Sequence, residues 1–402
     1  MAGVSVERLE PILDPASLDL LGERLRAARL SPLPALARGE GWERGTPEDW
    51  LAALIEDWRA YDPSVFQRRL DSLTHVRVLI DGIEIHAVQQ PAVAGSAGSG
   101  SAGSGGEGAL PLLLTHGWPG SFCEYLDLIP MLTDPAAHGG DPADAFNVVV
   151  PSLPGYGFSG PPPAGGLTGI ETAELWYRLM TEGLGYRRFV AHGSDIGSGI
   201  TARLARDHPD VVAGAHVAAG MLPPPPKPWS EPETTYFAEV EAWTAAEGAY
   251  AHQHATKPST IAAALLDSPV GLASWIGEKV VAWSDVRPDG QPAFPRELLL
   301  ATLTLYWSTG TIGTSLLPYW KYRQAPADTL RVGEGGPAPV AVTIFGGERI
   351  PFPKPPRELA ERYFSLSAWG EHPRGGHFPA VSAPGLLAQT LRDVFRPLRS
   401  GE

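Results

Sequence analysis

The chain has 402 residues, 31 Lys and Arg against 45 Asp and Glu, and a formal net charge of −14. That balance argues against nucleic acid or an anionic membrane surface as a partner, because both reward clustered cations, and leaves a small neutral molecule as the better fit. A single cysteine, Cys123, excludes an internal disulfide framework and a cysteine-based zinc site, while 46 Gly and 41 Pro mark a loop-rich globular composition.

The opening residues Met1 to Arg8 have neither the basic start nor the apolar run of a secretory signal, and no stretch approaches the roughly 18 apolar residues of a membrane helix. A cytoplasmic location, no membrane association and no cofactor or metal are therefore expected, with the oligomeric state open, a homodimer included. Over 17–30, Leu18, Leu21, Leu25 and Ala28 recur at helical spacing behind Ser17 as N-cap. Thr46-Pro47-Glu48-Asp49 supplies a cap, a first-turn proline and acids for a second helix through Trp50, Leu54 and Trp58. Both helices are expected before any strand. Val76, Val78 and Ile80 then alternate up to Asp81-Gly82, and Ile83 and Ile85 resume the alternation, which predicts a hairpin with a type I′ turn.

Residues 92–108 are nearly pure Ala, Gly and Ser, a linker composition that cannot bury apolar surface. The apolar runs at 110–115, 148–150, 189–191 and 340–345, interleaved with helical patterns, predict buried parallel strands of a doubly wound sheet. Pro223-Pro224-Pro225-Pro226 ends that pattern. The aromatic, helically spaced segment behind it reads as a helical cap over the strand ends.

The chemistry concentrates at Val190-Ala191-His192-Gly193-Ser194-Asp195-Ile196-Gly197-Ser198, a strand, a turn walled by small residues, then a helix. This is the pattern of a nucleophile elbow, with Asp where Ser is usual. A carboxylate needs no base to attack carbon, and its attack leaves an alkyl ester that water must cleave. Neither Ser194 nor Ser198 occupies the elbow position, which argues against a serine esterase. Glu348 and His377 follow Asp195 in the order nucleophile, acid, histidine. His116-Gly117-Trp118-Pro119-Gly120 follows the 110–115 run where backbone amides of an oxyanion hole belong, and His116 is expected to order that loop.

Several separated motifs together resemble the microsomal-type epoxide hydrolases. They are His116-Gly117-Trp118-Pro119-Gly120-Ser121-Phe122, Pro151-Ser152-Leu153-Pro154-Gly155-Tyr156-Gly157-Phe158-Ser159, the Asp195 elbow, Lys257-Pro258, Asp267-Ser268-Pro269-Val270-Gly271-Leu272, Tyr306-Trp307-Ser308-Thr309-Gly310-Thr311-Ile312 and Pro373-Arg374-Gly375-Gly376-His377-Phe378. The resemblance spans nearly the whole chain and implies an α/β-hydrolase fold, a mostly parallel sheet with helices on both faces. It also implies a helical N-terminal extension (1–74), a core domain (75–220 and 326–402) and an inserted helical cap (221–325). Asp195 would be the nucleophile, His377 the general base, Glu348 the charge-relay acid with Glu371 as its rival, and Tyr250 and Tyr319 the donors to the epoxide oxygen. Trp118 and Ile196 would supply oxyanion-hole amides, and Trp118, Trp243, Trp283, Trp320 and Phe378 would line the substrate pocket. The partners implied are a small epoxide and water. The membrane anchor of that family is missing from the sequence, so membrane association is not carried over.

The expected reaction opens an apolar, aryl-bearing epoxide to a vicinal diol through an ester on Asp195 that His377-activated water hydrolyses. Ala-, Gly-, Pro- and Arg-heavy usage points to a GC-rich source, where relatives resemble tailoring enzymes of aromatic natural products, enediynes included. Haloalkane dehalogenase shares the Asp and His but leaves the two tyrosines without a task. A non-catalytic ligand-binding hydrolase fold predicts a broken constellation, whereas every member is present here.

Overall fold

A computed structural model describes residues 3–30, 41–93, 108–218, 220–325 and 330–399. Most of the 92–108 linker lies outside the described residues. The chain begins with a strand that periodicity does not announce. Strand β1 (Ser5–Leu9) is almost wholly exposed and is held by backbone pairing, from Ser5 against Leu79 to Leu9 against His75, and by the Arg77–Glu7 ion pair at 2.9 Å. The expectation that two helices precede any strand is thus corrected: an edge strand fixed by long-range pairing needs no apolar alternation of its own.

Helix α1 (Pro15–Arg26) is capped by Asp14 instead of Ser17, the Asp14 carboxylate accepting from the Ala16 and Ser17 amides at 3.3 and 3.0 Å. Helix α2 (Glu48–Ala60) starts one residue after Pro47, and Thr46, read as its cap, instead donates to the Ser274 carbonyl at 3.1 Å. A third helix, α3 (Pro63–Asp71), follows at once behind an Asp62 cap. Strands β2 (His75–Ile80) and β3 (Ile83–Gln90) form the expected hairpin, with φ of +50° at Asp81 and +86° at Gly82.

Strands β4 (Leu110–Thr115), β5 (Phe146–Pro151), β6 (Phe189–Gly193), β7 (Val212–Ala218), β8 (Val340–Phe345) and β9 (Leu366–His372) are mutually parallel. The sheet order is β1-β2-β3-β5-β4-β6-β7-β8-β9, with β3 antiparallel to β5. Continuous apolar runs fit β4, β5, β6 and β8, which helices cover on both faces. β7 and β9 escape that signal because one is rich in Ala and Gly and the other is polar and half exposed. Helices α4 (Leu128–Thr133), α5 (Gly169–Arg178) and α6 (Ile196–Asp207) follow β4, β5 and β6 in turn.

Between β7 and β8 come helices α7 (Glu231–Glu247), α8 (Ala249–Thr256), α9 (Pro258–Asp267), α10 (Pro269–Trp283), α11 (Arg296–Thr309), α12 (Ile312–Ser315) and α13 (Leu317–Gln324), in the segment expected to form a cap. The N-terminal helices brace them. Trp58 Nε1 donates to Thr304 Oγ1 and Trp307 Nε1 to the Ser17 carbonyl, both at 3.0 Å, and α2 approaches α10 so closely that a Cβ at Gly277 would lie 2.7 Å from the Trp50 ring. Among the described residues, no single helix is long and apolar enough to cross a membrane.

Two buried imidazoles stand side by side in the sheet. His192 Nδ1 and His216 Nδ1 are 2.8 Å apart, so one ring donates to the other, and His216 Nε2 meets Thr343 Oγ1 at 2.8 Å. Burial drives His192 down to about 3 and His216 well below its ordinary value; it also drives His116 down to about 4. Folded values below the unfolded one mean that stability is fully present above about pH 6.5 and is lost as pH falls from there toward the folded values. Ordinary carboxylates act below about pH 5, so the urea midpoint should already fall between pH 6.5 and 5. A midpoint flat across that window would contradict this.

Candidate active site

The elbow forms because its neighbours have no room for side chains. A Cβ at Gly193 would lie 2.1 Å from the Gly197 carbonyl oxygen, one at Gly197 would lie 2.1 Å from that of Thr115, and one at Gly117 would collide with Asp195 Oδ1 at 2.2 Å. Asp195 is left at φ +51°, ψ −125°, a strained conformation for any side chain, between β6 and the first turn of α6. Its carboxylate, about one-fifth exposed, lines a cavity.

Asp195 Oδ1 accepts the Trp118 amide at 2.9 Å, and Ile196 N–H donates to the same carboxylate. Burial alone would raise this acid, but His377 and the two amides outweigh it and hold the carboxyl below its ordinary value. Asp195 is therefore ionised at neutral pH. His377 Nε2 stands 3.2 Å from Oδ2 but off hydrogen-bond alignment. The His377 amide donates to the Trp283 carbonyl at 3.0 Å, and Phe352 lies on the imidazole, centroids 4.9 Å apart with 19° between the planes.

His116 accepts the Leu153 amide on Nε2 at 3.1 Å and so donates from Nδ1 to the Gly117 carbonyl at 3.0 Å, the loop-ordering place expected of it. Ser198 Oγ donates to the Gly193 and Ala218 carbonyls at 3.0 and 2.8 Å. Its one proton is thus shared between two backbone carbonyls.

Tyr250 on α8 and Tyr319 on α13 both line the same cavity as Asp195. Their rings stand edge to face at 6.0 Å, and Tyr250 stacks on the fully buried Trp118 at 5.3 Å. Burial, aided by the Asp195 charge, pushes both phenols above their ordinary range, so both stay protonated and able to donate.

The acids separate. Glu371 is exposed on β9, accepts from Trp369 Nε1 at 2.7 Å and does not line the cavity. Glu348 lines the cavity with His377, its side chain 3 % exposed, but no hydrogen bond joins it to the imidazole. Its Oε1 is held instead by Lys354, whose Nζ also donates to the Phe345 carbonyl at 2.9 Å.

The cavity has a volume of about 660 Å³. Of the five aromatics expected on its wall, Trp243 is there. Trp118, Trp283 and Phe378 pack behind the lining, and Trp320 sits against Gly165, a Cβ on which would lie 3.2 Å from its ring. Phe345, Phe352 and Phe364 supply aromatic wall that the sequence reading did not single out. It also missed Asp285, buried ahead of α11, which accepts Arg374 Nε at 2.6 Å and the Gly375 amide at 3.0 Å and so ties down the loop carrying His377. No periodicity marks Asp285, Phe352 or Lys354; only the Pro-rich run Ile350-Pro351-Phe352-Pro353-Lys354-Pro355-Pro356 hints at a fixed loop.

Comparison with known proteins gives an independent bearing. The family model described as "Epoxide hydrolase N terminus" matches residues 7–125, and that of the "alpha/beta hydrolase fold" matches residues 111–268. A Stigmatella aurantiaca relative with a provisional epoxide hydrolase name is 38% identical over 96% of this chain and 83% of its own length. Epoxide hydrolase 1 of Sus scrofa is 31% identical over 92% of this chain and 84% of its own. The solved structure of Aspergillus niger epoxide hydrolase superposes with a TM-score of 0.81 at 28% identity, covering 98% of this chain and 97% of that one.

Proposed function

Because the chain belongs to the epoxide hydrolase family, we propose that Asp195 is the nucleophile of its epoxide-opening reaction. Asp195 Oδ2 attacks an epoxide carbon, the carbon–oxygen bond breaks, and a Tyr250 or Tyr319 hydroxyl gives its proton to the departing oxygen, forming a hydroxyalkyl ester. Oδ1, already bound by the Trp118 amide, becomes the ester carbonyl oxygen, with the Ile196 amide on the same carboxylate. His377 takes a proton from water, which attacks Cγ; the amides hold the oxyanion, collapse passes the remaining water proton to the departing alkoxide and releases the diol, and the proton on His377 restores the tyrosinate, leaving Asp195 ionised. The observation that carries this reading is the convergence of an ionised, amide-bound Asp195, a 3.2 Å His377 and two protonated phenols on one cavity.

The substrate we propose is an apolar, aryl-bearing epoxide, on the strength of the aromatic wall formed by Trp243, Phe345, Phe352 and Phe364. Modification of an aromatic natural product is the setting this suits, in the cytoplasm, where the buried Cys123 stays reduced. A dehalogenase reading would leave the two phenols idle.

Glu348 is proposed as the relay acid over Glu371, since it alone shares the cavity with His377. Glu348→Gln should slow ester hydrolysis by roughly 10²-fold or more, by analogy with loss of the orienting acid elsewhere, while Glu371→Gln leaves it within about twofold. Single-turnover rates check this, and the reverse ranking would move the role to Glu371.

A further inference from the structure

We propose that Lys354 is a positioning residue for the hydrolysis half of the reaction, locking Glu348 from one side so that its other carboxylate oxygen can orient the His377 imidazole. The proposal rests on the reading of Glu348 as relay acid. Glu348 sits in a turn stitched to the histidine loop: the Gly346 amide donates to the His372 carbonyl at 2.8 Å, and the Gly376 amide donates to Gly346 at 2.9 Å. These bonds fix the backbone but leave a nearly buried carboxylate to be placed by its own partners.

Lys354 binds Oε1, and its second bond, to the Phe345 carbonyl, fixes the ammonium in turn. Other nearby cations are committed elsewhere. Arg374 pairs with Asp285 at 2.6 Å, and Arg349 donates to the Gly290 carbonyl at 2.7 Å. Among the described residues, Oε2 of Glu348 carries no hydrogen bond, which leaves it as the oxygen available to His377. The same short loop lays Phe352 on the imidazole face, so residues 348–354 set both the acid and one wall of the ring.

A buried carboxylate stripped of its cation is unpaired and free to turn, and small misplacements of an orienting group are costly. Lys354→Met should therefore slow hydrolysis of the Asp195 ester by roughly 10- to 100-fold while leaving ester formation within about twofold. Lys354→Arg should restore most of the loss, because it keeps the charge. The Glu348→Gln/Lys354→Met double variant, which has no unpaired charge, should hydrolyse no more slowly than Glu348→Gln alone.

The test is single-turnover kinetics with styrene oxide, following ester formation and decay separately in the four variants. Slowed decay with normal formation, rescued by Arg, supports the proposal. Normal decay in Lys354→Met, or equal slowing of both steps, overturns it while Glu348→Gln remains slow. Normal decay in Glu348→Gln would instead remove the relay reading and this proposal with it.

Discussion

Asp195→Ala is expected to lower epoxide turnover by about 10⁴-fold or more, the scale seen when a covalent nucleophile is deleted. The loss is large because no neighbour can substitute: Ser198 is committed to two carbonyls and Glu371 does not line the cavity. The same change should lower melting temperature slightly, since it removes a carboxylate whose ionised form the fold stabilises and leaves a side chain at positive φ. Activity and thermal melts on one preparation separate the two effects. Residual turnover within tenfold of the parent would move the nucleophile elsewhere.

Replacing Tyr250 and Tyr319 together by Phe should cost roughly 10²- to 10⁴-fold in ring opening, the range for a positioned proton donor. Each single variant should lose less, because one phenol still faces the departing oxygen. The double variant should fold normally, as the ring contacts of Tyr250 with Trp118 and of the two tyrosines with each other need no hydroxyl. The rate of ester formation reads this directly. A double variant forming ester at the parental rate would contradict the role of both phenols.

What the sequence could reveal followed from where the constraints are local. Gly193 and Gly197 announce the elbow because the backbone leaves no room for a side chain, and Asp81-Gly82 announces the hairpin because only such residues accept its turn. Edge strand β1 is stabilised by a partner more than sixty residues away, so its own pattern is silent. The pocket wall is hard to read from sequence for a related reason. Trp118, Trp283 and Phe378 are large and apolar, and large apolar residues serve equally as lining or as the layer supporting it; only packing distinguishes them. Lys354 acts through two contacts within its own stretch of chain, and Asp285 through two with Arg374 and Gly375; neither pair leaves a periodic spacing to find.

The measurement that bears most directly on the covalent route is the intact mass of His377→Gln after mixing with styrene oxide. Hydrolysis should be blocked while attack proceeds, so the expected result is a gain equal to the whole epoxide, mapped by peptide digestion to Asp195 and absent from Asp195→Ala. No adduct in His377→Gln, or an adduct that persists in Asp195→Ala, would contradict it.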